Sequence, residues 1–296
     1  MTHRSVAFLH RAAALALALA IVGAHGSAQS KSFGWRVSSP RGSMYLVGSV
    51  HLLTKDFYPL SPALEKAYKD SDLLVEEVDM AEMTTPGAQM TMLTRGMQPS
   101  AKPIDKVLSP ETMTALSKKA EELGLPLEAL KQFKPWMIAL TIEAMEWQKA
   151  GFDAELGLDK HFYDRAQGDG KSVMGLETVD YQLSRFDEMS PALQDQLLRE
   201  TLKDVDTEQA NMTKLIASWR AGDAAEVERV VLKDLADNPQ LYKLLLTDRN
   251  KNWLPKLDAL FSRSGSAMVV VGAAHLVGPD GLLAMFKAKG YKIEQL

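Results

Sequence analysis

The 296-residue chain contains no cysteine. That absence excludes disulfides, thiolate ligands and a thiol nucleophile, so a metal would have to be held by imidazole, carboxylate, other oxygen ligands and water. The chain also lacks a basic stripe: 34 Lys and Arg stand against 38 Asp and Glu, and nothing in that balance points to nucleic acid. No Gly-x-Ser-x-Gly sequence is present, which argues against a serine hydrolase built on a nucleophile elbow. Past the first residues, no apolar run is long enough to cross a bilayer as a helix.

What is present begins with a leader. Arg4 and Arg11 precede an apolar stretch from Ala12 to Gly23, and Gly26-Ser27-Ala28 supplies small residues before an expected cut after Ala28. A basic start, a short apolar middle and a small-residue exit characterise a secretory signal peptide, and the apolar part is too short for a transmembrane helix. The expected division is therefore a signal peptide over 1–28 and one domain over 29–296. The mature protein is expected to be periplasmic or secreted, with no stable membrane anchor. Cleavage leaves 32 basic residues against 38 acidic ones, a net charge of −6, and it removes His3, His10 and His25. Only His51, His161 and His275 remain as imidazoles.

Two of those three sit in near-copies of one segment. Met44-Tyr45-Leu46-Val47-Gly48-Ser49-Val50-His51-Leu52 aligns with Met268-Val269-Val270-Val271-Gly272-Ala273-Ala274-His275-Leu276. Each is a short apolar run with β-branched residues, stopped by Gly, with His three residues on: a buried strand delivering an imidazole at its carboxyl end. Glycine there permits a sharp turn and leaves room for a ligand. Open α/β sheets bind ligands outside the carboxyl ends of their strands, so the two imidazoles are expected to converge on a metal or catalytic centre.

The rest of the chain frames this pair. Strands are expected over 33–37 and 44–47 around a Pro-Gly turn, over 72–78 with an acidic finish, and over a short 172–174. Helices are expected over 62–69, 109–123, 136–149, 155–167 and 180–189, with a long one from Pro191 to about Trp219. Further helices are read over 223–236, 249–261 and 280–288, and a last strand over 291–294. The fold class is α/β, a central sheet carrying two strand-Gly-x-x-His motifs with a large helical insertion between them. His161 lacks the glycine context and reads as structural. Trp136, Trp147, Trp219 and Trp253 read as core, and the Met80–Met97 segment as gap-filling packing or a lid over the site.

Gly48-Ser49-Val50-His51, the strand end Leu73-Leu74-Val75-Glu76-Glu77-Val78-Asp79, and Val271-Gly272-Ala273-Ala274-His275-Leu276-Val277-Gly278 together resemble the TraB/GumN family, itself similar to the Tiki metalloproteases. Gly157-Leu158-Asp159, Gly175-Leu176-Glu177-Thr178 and Asp248-Arg249-Asn250 extend the resemblance from about Trp35 to the C-terminus. It implies a Tiki/TraB, erythromycin-esterase-like fold. It also implies His51, His275 and Glu77 as ligands of a divalent metal (Mn, Co or Zn), with Glu77 as ligand or general base. Alternation lets only one of Glu76 and Glu77 face the site, and the family pattern favours Glu77. Arg249 is implied either as a stabiliser of a developing oxyanion or as a structural arginine. Asp159 and Glu177 orient ligands or cap helices.

Two imidazoles and a carboxylate leave coordination positions for water and substrate, as an open catalytic site requires. The expected function is metal-dependent hydrolysis, of a peptide bond by analogy with Tiki proteases. The alternatives are a non-catalytic periplasmic protein that binds or sequesters a peptide or other small molecule, and an esterase-like hydrolase.

Overall fold

Six strands form one sheet in the computed structural model, which describes residues 31–203, 205–236 and 238–296. The leader, and with it the expected cut after Ala28, lies outside the described residues. Strands β1 (Gly34–Ser39) and β2 (Gly42–Ser49) make an antiparallel hairpin paired without interruption from Gly34↔Val47 to Ser39↔Gly42. They are longer than the expected runs because this register uses polar residues at the turn end as well as the apolar middle. β3 (Leu73–Val78), β4 (Ser172–Glu177), β5 (Ala267–Gly272) and β6 (Lys292–Gln295) complete the order β4-β3-β5-β2-β1-β6. The first four run parallel, while β1 and β6 are antiparallel additions at one side.

Every residue of β3 and β5 is buried. Such continuous burial requires helices on both faces of a parallel sheet. Helices α1 (Pro62–Lys69), α2 (Pro86–Gly96), α3 (Pro110–Glu122), α4 (Pro135–Lys149) and α5 (Leu158–Gly168) lie in the chain on either side of β3, before β4. Helices α6 (Val179–Asp187), α7 (Pro191–Thr201), α8 (Val205–Arg220), α9 (Ala224–Val231) and α10 (Asp248–Leu260) separate β4 from β5, and α11 (Leu282–Ala288) precedes β6. The helical insertion is thus divided in two by β4. Helices α1, α2, α3 and α7 each begin with a Ser or Thr cap followed by Pro, whose missing N–H is no loss in a first turn.

The long helix expected from Pro191 to Trp219 is instead α7 and α8. No Gly or Pro marks the break. It arises because the two halves serve different cores: Leu198 packs with Leu116, Ile138 and Ile142, whereas Leu215 and Trp219 join the core of the sheet. Tertiary packing overrides local propensity here. The Met80–Met97 segment is likewise not core packing. Helix α2 buries only Ala88 and Gly96, and Met83, Met90, Met92 and Met97 are exposed. The reason is at Gly96, where the side chain of Met137 packs so close that a Cβ would lie 2.5 Å from it; small residues make the contact and the methionines face outward. Trp136, Trp219 and Trp253 are buried as expected, but Trp147 is only partly so. Among the described residues no helix is long and apolar enough to cross a membrane.

Candidate active site

The carboxyl ends of the four parallel strands meet at one edge of the sheet, where an open α/β fold leaves a crevice. A cleft of about 600 Å³ opens there, with His51, Glu77, Arg249, Gly272 and His275 on its floor. Its walls come from the helices and are largely apolar, including Leu140 and Trp147 of α4, Phe186 of α6, and Met212 and Leu215 of α8. Trp147, expected in the core, therefore lines the cleft instead.

β2 and β5, the two similar segments, are adjacent and parallel, but their pairing is shifted by one residue relative to their sequence alignment: Gly48 pairs with Val271, and Ser49 with Gly272. Side chains alternate along a strand, so the shift turns the two glycines to opposite faces. A Cβ on Gly48 would lie 2.2 Å from the Phe33 ring, in the core. A Cβ on Gly272 would instead sit among Glu77 Oε1 at 3.2 Å, His51 Nε2 at 3.4 Å and His275 Cδ2 at 3.6 Å. Only the second glycine leaves room at the site.

The two imidazoles are held in different ways. His275 is 4% exposed and its Nδ1 lies 2.7 Å from Asn250 Oδ1. Asn250 Nδ2 already donates to the carbonyls of His275 and Asp280, so Oδ1 is the acceptor and Nδ1 of His275 carries the proton. Nε2 then offers its lone pair, which accepts from Arg249 Nη1 at 3.0 Å. Burial lowers the pKa of His275 to about 3, keeping it neutral. His51 follows a bend after β2, and 59% of its side chain is exposed in the cleft mouth. Its Nδ1 donates to Asp159 Oδ2 at 2.8 Å at the start of α5. The Asp159 carboxylate raises the His51 pKa to about 9.

Glu77 and Glu76 part company as alternation requires. Glu77 reaches the floor, where Oε1 accepts the Gly272 amide at 2.7 Å and Oε2 accepts Gln182 Nε2 at 3.1 Å and Arg249 Nη2. Burial pushes its pKa up, but Arg249, His275, His51 and the Gly272 amide together hold it well below the ordinary carboxylate value. Glu76 is buried, and among the described residues neither of its oxygens has a close hydrogen-bond partner; burial, with Asp159 and Asp79 nearby, raises its pKa to about 9. It is protonated at neutral pH and takes no part in the floor.

Arg249 is the hub. Nε and Nη2 donate to Glu177 Oε1 at 2.9 and 2.6 Å, while Trp253 Nε1 fixes Glu177 Oε2 at 2.8 Å. Its guanidinium lies over the Trp253 ring, 4.7 Å from the centroid. Just upstream, Lys243–Thr247 winds as a π-helical turn, a distortion frequent at functional sites, and Leu245 O accepts from Arg249 Nη1 at 3.3 Å. Two carboxylates and one guanidinium give this inner wall a net charge of −1.

The structure thus brings His51, His275, Glu77 and Arg249 together, with Asp159 and Glu177 in direct contact with them. His161 lies apart: its ring packs on Tyr58 at 4.6 Å and Nε2 meets Arg165 Nη1 at 3.3 Å. Asn250 and Gln182 were not read as site residues from the sequence. The adjacency of Asn250 to Arg249 was the available signal; Gln182 had none.

The donor set fits a divalent cation in kind. Each imidazole is oriented through Nδ1 and turns Nε2 inward, the arrangement that fixes metal-binding histidines, and the bare Gly272 leaves a space bounded by His51 Nε2 and Glu77 Oε1. As they stand, no three His, Asp or Glu side chains among the described residues group closely enough to hold a metal ion; His275 Nε2 lies 3.8 Å from Glu77 Oε1, and Arg249 engages His275 Nε2 and the other Glu77 oxygen.

An α/β sheet with imidazoles, carboxylates and a guanidinium at the carboxyl ends of its parallel strands defines a cleft-bearing class of protein. Residues 33–295 match the TraB/PrgY/gumN family, and the chain belongs to it. It is 28% identical over 243 residues to a protein of Escherichia coli (strain K12) named "Uncharacterized protein YbaP", a match covering 82% of this chain and 87% of that one. The YbaP of Shigella flexneri matches to the same extent. No solved structure matches the chain.

Proposed function

We propose that this protein is an exported metal-dependent hydrolase, of Tiki/erythromycin-esterase-like fold, acting on a peptide or other carbonyl substrate in the cleft. The observation that carries the reading is the pair of imidazoles that are anchored at Nδ1 and turn Nε2 toward the floor beside Glu77. His51, His275 and Glu77 would hold a manganese, cobalt or zinc ion, which supplies an acidified water and polarises a carbonyl. The net negative inner wall favours a cation there. Asp159 and Asn250 orient the imidazoles, and the Gly272 amide and Gln182 hold the Glu77 carboxylate. Arg249 would offer N–H groups to a developing oxyanion. The apolar helices exclude water and accept uncharged parts of the substrate.

One observation favours a second reading. Arg249 already occupies the lone pair of His275 Nε2, which suits a metal-free protein that binds a ligand without turnover. Metal analysis of the purified mature protein, followed by cleavage of a peptide library with and without chelator, separates the two. Stoichiometric metal with chelator-sensitive cleavage supports the hydrolase; peptide retention without products, unchanged by chelator, supports the binder. Mass spectrometry of the exported protein should find Gln29 at the N-terminus, and an intact Met1 would remove the export part of the proposal.

A further inference from the structure

Arg249 makes two sets of contacts that serve different masters. One set engages the metal-donor residues: Nη1 with His275 Nε2 at 3.0 Å and Nη2 with Glu77 Oε2. The other engages groups that are not donors: Nε and Nη2 with Glu177, the Trp253 face, and Leu245 O. Glu177 is itself fixed from the far side by Trp253 Nε1. We propose that Arg249 is a built-in competitor for the cation: it clasps His275 and Glu77 while the protein is metal-free, and withdraws onto Glu177 when a divalent ion takes those residues.

The inference rests on the metal-centre reading and adds its regulation. A lone pair can serve one partner at a time, so His275 Nε2 cannot both accept from Arg249 and bind a metal. A divalent cation beside an undisplaced guanidinium would meet like charge where little water screens it. Withdrawal leaves partners for the groups that Arg249 now joins. Arg249 keeps the Glu177 carboxylate and the Trp253 face, and Glu77 keeps the Gly272 amide and Gln182. The chain therefore carries both the clasp on His275 and Glu77 and the anchor that receives it. The consequence is a site whose affinity lies below what its donors alone would give, and which is held in shape when metal is scarce.

The competitor makes opposite predictions for two neighbours in one network. Arg249→Met removes the rival cation and is expected to bind zinc, manganese or cobalt at least tenfold more tightly than the unmodified mature chain, measured by titration calorimetry. Glu177→Gln weakens the anchor that receives Arg249 and is expected to bind the same ions several-fold more weakly. A merely structural role for Arg249 would weaken binding in both. Tryptophan emission gives a second readout, since the Trp253 ring lies 4.4 Å from His275 and faces Arg249; the metal-induced change should vanish in Trp253→Phe. Arg249→Lys keeps the charge but loses the fork, and is expected between the unmodified chain and Arg249→Met; it carries the test if the Met variant does not fold. Tighter binding in Arg249→Met, including binding that appears only in that variant, supports the competitor. Unchanged or weaker binding in a folded Arg249→Met or Arg249→Lys, with the unmodified chain still binding, overturns it and leaves the metal centre standing. Absence of binding in all folded variants overturns the metal centre and the competitor together.

Discussion

The two strand-Gly-x-x-His segments, nearly identical as sequence, build unlike halves of one site. His275 is sealed beneath Trp253, paired with a neutral amide and held uncharged; His51 stands in the cleft mouth, paired with a carboxylate and held readily protonated. The one-residue shift between β2 and β5 sends one glycine to the core and the other to the site. The lesson is that a repeated motif sets where a strand ends and what it delivers, while the register and the covering helices decide the role of each copy.

The sharpest way to separate the halves is to remove each imidazole. On the metal reading, His51→Ala and His275→Ala should each weaken zinc, cobalt or manganese binding by roughly 100-fold or more, because few strong donors remain. Their stabilities should differ: His275→Ala leaves Arg249 and Asn250 facing a buried hole and should cost about 3 kcal/mol in a denaturant melt. His51→Ala, at an exposed ring, should stay within about 0.5 kcal/mol of the parent. His161→Ala should bind metal like the parent, and loss of binding there would refute the assignment of the pair.

The glycines should break in the reverse sense. Gly48→Ala drives a methyl into the buried Phe33 ring and should cost about 1–3 kcal/mol while sparing affinity in the folded protein. Gly272→Ala meets only contacts of 3.2 Å and longer, so it should fold with a loss below about 1 kcal/mol and bind metal about tenfold less tightly. Equal behaviour of the two variants would count against the opposed faces.

The smallest effects are in pH dependence of the metal-free protein. His51 is raised to about 9 by Asp159, with Glu77 assisting and Arg249 opposing, so the stability of this pair is full below pH 6.5 and is lost as pH rises through about 9. His275, lowered to about 3 by burial, works the other way: the unfolded chain binds the proton more readily, and stability falls as pH drops below 6.5. Asp159→Asn should bring the His51 titration, followed by NMR, down toward 6.5 and flatten the alkaline slope without altering the acid one. An unmoved His51 pKa in that variant would dissolve the contrast.

The meeting of His51 and His275 at one sheet edge was legible because strand ends advertise themselves: an apolar run, a glycine, then a polar side chain. Alternation along β3 allows only one of Glu76 and Glu77 to face the site, and it was the family resemblance that favoured Glu77. The helix boundaries at Ser61, Ser109 and Ser190 were legible for the same local reason, caps followed by proline. What stayed hidden depends on distance through space. The register of β2 on β5, the sharing of Arg249 between Glu77 and Glu177, and the lining of the cleft by α4, α6 and α8 join residues far apart in the chain. The outward methionines of α2 were hidden too, since hydrophobicity alone does not tell which side of a helix finds a partner.

The strand order has a consequence for how the molecule is made. β5 sits between β3 and β2, yet the Gly272 amide that grips Glu77 is polymerised 195 positions after it. Until Ala267–Gly272 arrives, β2 and β3 have no common neighbour, and each presents an open parallel edge of the kind that captures strands from other chains. Non-local pairing of this sort is slow to form because a long loop must close first. A chain broken off before β5 cannot seal its sheet and should collect in aggregates. Only a chain that extends through β5 to His275 brings the two imidazoles together, so the site cannot assemble on any shorter fragment.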